Sequence, residues 1–124
     1  MADFLLTPQQ IKSNWKTFRE IVNEISPKRR DAMNRMYDDL EDRIVMAPAS
    51  SYDYFHNAIP GGYVDHVLRV YDNTIKHYEL WKDSGMIVDN FTLEELSFAA
   101  IHHDLGKCGM PGENRELYQT NKSE

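Results

Sequence analysis

Residues Ala99 to Gly109 read AAIHHDLGKCG, with His102, His103, Asp104 and Lys107 inside six positions. Upstream, Thr92 and Glu95 have the spacing of a capping box, in which two side chains satisfy each other's free backbone amides and so start a helix. Leu96, Ala99 and Ala100 give that helix its apolar side, and Gly106 is the expected stop, because glycine enters the left-handed conformation of a helix end at low cost. The polar cluster therefore sits at a helix C-terminus. A carboxylate there opposes the helix dipole, so Asp104 calls for a nearby cation. A bound cation would need another ligand from elsewhere in the chain.

Working outward, a helical pattern runs from about Tyr63 to Lys82, with Val64, Val67, Leu68, Tyr71, Ile75, Tyr78 and Trp81 at three- and four-residue steps. His66 lies near its start. If this helix and the last one pack antiparallel or cross steeply, His66, His103 and Asp104 meet. Two imidazoles and a carboxylate suit divalent Mn, Fe, Ni, Co or Zn, and Mg through the oxygen. Lys82 to Gly85 ends the helix, and Met86 to Phe91 is expected to be a short extended connection. Met46 to Gly62 lacks periodicity and carries Pro48, Pro60 and paired glycines, which marks a loop. Before it, Thr7, Pro8 and Gln10 open a helix to about Ile25, with Ile11, Trp15, Phe18, Val22 and Ile25 on one stripe. Ser26 and Pro27 are expected to cap and open a second helix, striped by Met33, Met36, Tyr37, Leu40 and Ile44. The two should form a hairpin.

Composition narrows the function classes. A chain of 124 residues, 41% hydrophobic and 27% charged, is expected to fold as one all-α domain. Within it, residues 1–45 form the hairpin, 46–107 the helices bearing the candidate site, and 108–124 a polar tail. A net charge of −6 argues against a general nucleic-acid surface, which needs clustered Lys and Arg. The one cysteine, Cys108, excludes an internal disulfide framework. No 18-residue apolar run occurs and the N-terminus lacks a signal-peptide pattern, so a cytoplasmic protein with no membrane segment is expected.

The stretches PGGYVDHVLRV, 60–70, and HHDLGK, 102–107, resemble the HD-domain superfamily of metal-dependent phosphohydrolases. That family is all-helical, and its signature is a histidine on one helix, a His-Asp doublet ending a later helix, and a final aspartate further on. The Gly-Gly turn before the first histidine is similar to the subgroup of bacterial exoribonuclease-like and phage-encoded members. The resemblance covers roughly residues 55–107 and implies an HD-domain-like bundle in which His66, His103 and Asp104 hold a divalent metal. The metal would acidify a water for attack on a phosphate ester. Asp104 and Lys107 would be the catalytic residues, the ammonium of Lys107 meeting a phosphoryl oxygen. His56, His102, Gly61 and Gly62 would join Lys107 in facing a small phosphorylated substrate, best a nucleotide. One departure matters: none of the 20 residues after Asp104 is aspartate, the acids there being Glu113, Glu116 and Glu124. The expectation is therefore the N-terminal part of a longer HD protein, lacking its C-terminal helices. Its metal site would be incomplete and partly filled, and apolar surface left open would favour self-association.

Each residue also has a purely structural explanation. His66 can be a core or surface histidine, His102 a helix-end residue, and His77 a solvated one, although the functional options for His102 also include a ligand to a second ion or a contact behind the ligands. Lys107 suits the helix dipole, and Gly61 and Gly62 suit a tight turn. Beside the hydrolase stands a degenerate HD module that binds a nucleotide or a protein partner without catalysis. A helical domain in which HHD is coincidental is the third reading.

Overall fold

A computed structural model of the chain describes residues 5–49, 59–85 and 91–105, which form four α-helices and no strand. The all-α expectation holds. Helix α1 spans Pro8–Ile25, α2 Arg30–Ile44, α3 Gly62–Asp83 and α4 Leu93–His102. Both capping boxes form. The Gln10 and Glu95 amides donate to the hydroxyl oxygens of Thr7 and Thr92 at 3.1 and 3.0 Å, and both reciprocal bonds are 2.8 Å.

Two boundaries differ from the sequence reading. Ser26 does not cap with its side chain; its buried hydroxyl donates to Glu94 Oε2 at 3.0 Å, tying the α1–α2 corner to α4. A 3₁₀ turn, Pro27–Arg29, opened by Pro27, leads into α2. Helix α4 ends at His102 rather than running to Gly106. The connection 86–90, most of the loop at 50–58, and residues 106–124 with Gly106, Lys107 and the polar tail lie outside the described residues, as does His56.

The core gathers where the stripes meet. Phe18 and Val22 of α1, Tyr37 and Ile44 of α2, Tyr63 and Val67 of α3, and Ile101 of α4 are all sealed from solvent. Burying each such side chain contributes about 1.5–3 kcal/mol. Trp15 stacks on Phe18 with centroids 5.3 Å apart, and Tyr37 stands edge-on to Phe18 at 5.0 Å, which joins α1 to α2. Arg43, a charged residue between stripe positions, is buried too.

Helices α3 and α4 make the most extensive pairing among the described residues. Burial along α3 is one-sided: its fully buried residues are Gly62, Tyr63, Val64 and Val67, all in the first two turns. Trp81, expected on the apolar face, is 46% exposed. No described helix is long and apolar enough to cross a membrane.

The start of α3 is stapled to the end of α2. The Gly61 amide donates to Met46 O at 3.1 Å and the Tyr63 amide to Ala47 O at 2.8 Å. Gly61 has φ of 79°, and a Cβ there would lie 2.7 Å from Ile11 Cγ1. Backbone handedness and the approach of α1 both demand glycine at this turn. Gly61→Ala is therefore expected to lower unfolding stability by about 2 kcal/mol, through strain and overpacking together. Urea unfolding followed by far-UV circular dichroism checks this, and an unchanged midpoint would contradict the packing described.

Candidate metal centre

His66 sits in the second turn of α3, after Val64 and before Val67, both of which face the core. Its helix is thereby fixed in rotation. His103 and Asp104 follow the last residue of α4, His103 being its C-cap. The pairing of α3 with α4 brings these three residues together although His66 and His103 stand 37 positions apart in sequence.

Asp104 Oδ2 lies 3.2 Å from His103 Nε2 and 3.7 Å from His66 Nε2, and the two imidazole centroids are 5.6 Å apart. One donor atom from each residue falls within 4.8 Å of both others. Ligands about 2.1 Å from an ion are roughly 3.0 Å apart in an octahedron and roughly 3.4 Å apart in a tetrahedron. The His103 separation lies between those edges and the His66 separation exceeds both, so the three donors could hold a divalent ion once they draw closer together. Side-chain exposures of 20% for His66, 25% for Asp104 and 35% for His103 leave the cluster open to solvent on one side. Other ligands can enter there.

The helix end prepares His103 for this role. Its Nδ1 is 2.8 Å from the carbonyl of Ala100, one of the carbonyls left unsatisfied where a helix stops. A carbonyl only accepts, so Nδ1 carries a proton, and Nε2 is the nitrogen that faces Asp104. Locking the remote nitrogen in this way sets the ring orientation and raises ligand basicity.

On the other side of His66, Asp65 accepts from Arg69 Nε at 3.0 Å and from Asn14 Nδ2 at 3.4 Å, fastening the first turns of α3 to α1. An acidic residue in a first turn also complements the helix dipole. The sequence reading assigned no part to Asp65, Arg69 or Asn14. The Asp65–Arg69 spacing was a visible signal, whereas the reach of Asn14 across the fold was not.

His102 is not in the cluster. It turns into the protein, its ring 4.2 Å from Phe98 and stacked on Tyr37 at 5.8 Å. Its Nδ1 is 2.7 Å from the Phe98 carbonyl, and its buried Nε2 has no hydrogen-bond partner among the described residues. Gly61, the N-cap of α3, and Gly62, its first residue, are both buried. His77 lines a separate, mainly apolar cleft of about 380 Å³ with Tyr78, Trp81, Phe91 and Leu96, which shares no residue with the cluster.

Family descriptions, curated proteins and solved structures were all compared with this chain, and none matches.

Burial, with a smaller contribution from the charge of Arg29, holds the pKa of His102 below its ordinary 6.5; the bond to the Phe98 carbonyl opposes this without reversing it. The unfolded chain thus takes up this proton more readily than the folded one. The His102 contribution to stability is complete above pH 6.5 and is lost as the pH falls below it. Between about pH 7.5 and about pH 5.5, the urea midpoint of the wild type should fall further than that of His102→Phe. Equal slopes would remove His102 as the cause.

Proposed function

We propose that this protein is a metal-dependent phosphohydrolase of the HD type, acting on a nucleotide or a phosphate ester of similar size. The convergence of His66, His103 and Asp104 on one point carries the proposal. Two imidazoles and one carboxylate at these separations are a donor set for a first-row divalent ion, with Mn, Fe, Ni, Co and Zn all admissible and Mg held through Asp104. The HHDLGK context supplies the family reading. A divalent ion in this position acidifies water and offsets charge developing on a phosphoryl group.

The chain's own residues would divide the remaining work. His103 spends Nδ1 on the Ala100 carbonyl, which leaves Nε2 as the nitrogen on the metal side. Asp104 supplies the negative charge that makes a dication favourable at a helix C-terminus. Lys107, assigned from the sequence pattern alone, neutralises a phosphoryl oxygen. The open side of the cluster admits the substrate.

Three protein donors hold an ion loosely, so metal recovered without chelators is expected below one equivalent per chain, with activity rising as Mn²⁺ or Co²⁺ is added. Phosphate release from a panel of nucleotides measures this. His66→Ala and Asp104→Ala should abolish both binding and turnover. Lys107→Ala should keep the metal and lose on the order of a hundredfold in kcat, the scale of one preorganised contact to developing charge. Tight metal binding with no turnover on any phosphate ester, in chains of any C-terminal length, would favour a binding module instead.

A further inference from the structure

His102 and His103 are chemically identical neighbours with opposite surroundings. On a helix, successive side chains diverge by roughly 100°, so the last turn of α4 sends one imidazole inward and the next to the cluster. The inward ring is wedged between Phe98 of its own helix and Tyr37 of α2, at centroid distances of 4.2 and 5.8 Å. Tyr37 is sealed from solvent and is itself braced by Phe18 and Trp15 of α1, at 5.0 and 6.4 Å. The 2.7 Å bond from Nδ1 to the Phe98 carbonyl fixes the plane of the wedged ring.

The two residues after this wedge are His103 and Asp104. They lie in the turn that continues from the end of α4, His103 still having helical φ of −60° and ψ of −30°. Where α4 ends therefore decides where they meet His66.

We infer that His102 is a positioning residue: its ring, clamped by Tyr37 and Phe98, sets where α4 ends and so aims His103 and Asp104 at the metal point without touching the ion. The inference rests on the metal-binding reading above. It assigns His102 a part in ion affinity that neither substrate contact nor coordination would explain.

Co²⁺ titration of the full 124-residue chain, read by visible absorption, tests this, with far-UV circular dichroism recorded on each sample to score folding. His102→Ala, which empties the wedge, is expected to weaken Co²⁺ binding roughly ten- to a hundredfold, the range seen when a group supporting a ligand is removed. The absorption band at saturating Co²⁺ should also change, reporting an altered ligand arrangement that a loss of stability alone would not produce. His102→Phe restores a flat ring but cannot coordinate, and it should return the affinity to within about threefold of the wild type and restore the band. His102→Leu refills the volume without a flat ring, and it stands in for His102→Ala if that variant does not fold.

Wild-type affinity and spectrum in the Ala and Leu variants would overturn the positioning role while leaving the metal centre intact. A His102→Phe variant as defective as His66→Ala would make His102 a ligand and overturn it as well. A folded wild type that binds no Co²⁺ would overturn the metal reading and this inference with it.

Discussion

Tyr37 is the point on which the described structure turns. It has no solvent exposure, and its ring meets Trp15 and Phe18 on α1 and His102 at the end of α4. Edge-to-face and offset contacts of this kind contribute beyond simple area burial and are sensitive to angle, so they fix orientation as well as proximity. Through that one side chain the N-terminal helices restrain the place where the candidate ligands emerge. Helices α1 and α2, which carry no recognisable chemical motif, are thereby part of what shapes the site.

A second bridge acts at the far end of α4, where buried Ser26 donates to Glu94 in the first turn. Helix α4 has only ten residues, too few to persist in water on its own, so its helicity depends on contacts of this sort. With Ser26 at its start, His102 at its end and α3 along its length, the helix is held at both termini and on one face. The cluster of His66, His103 and Asp104 inherits that definition.

Much of this was legible in the sequence because the signals are local. Thr7 with Gln10, and Thr92 with Glu95, announce helix starts within four residues, and both boxes form as read. The stripes of α1 and α2 likewise named Phe18, Val22, Tyr37 and Ile44 before any contact was known. Misreadings occurred where a distant group competed for a local one. Ser26 has the residue type of a cap, but Glu94 takes its hydroxyl. Gly106 has the type of a helix stop, yet α4 ends four residues earlier, where the His103 side chain takes up the Ala100 carbonyl. For the site, the HHD pattern pointed to His103 and Asp104 and the early-helix histidine to His66. Which of the two adjacent histidines turns inward depends on the rotation of α4 against Tyr37, and no neighbour in sequence encodes that. The clamp on Asp65 by Asn14, across 51 positions, was hidden for the same reason.

The uneven burial of α3 carries a consequence for local opening. Its first two turns hold every fully buried residue of the helix, whereas Leu80 and Trp81 near the other end are 59% and 46% exposed. Opening free energies in a folded protein follow buried contacts, from nearly nothing at fraying ends up to the global value in the core. Amide hydrogens around His66 and Val67 are therefore expected among the slower-exchanging ones, opening only when the packing of the core is lost. Those from about Lys76 to Asp83 exchange through fraying that leaves the rest of the helix in place. His66 lies in the slow half, so the histidine of α3 stays anchored while the opposite end of its own helix unwinds and reforms.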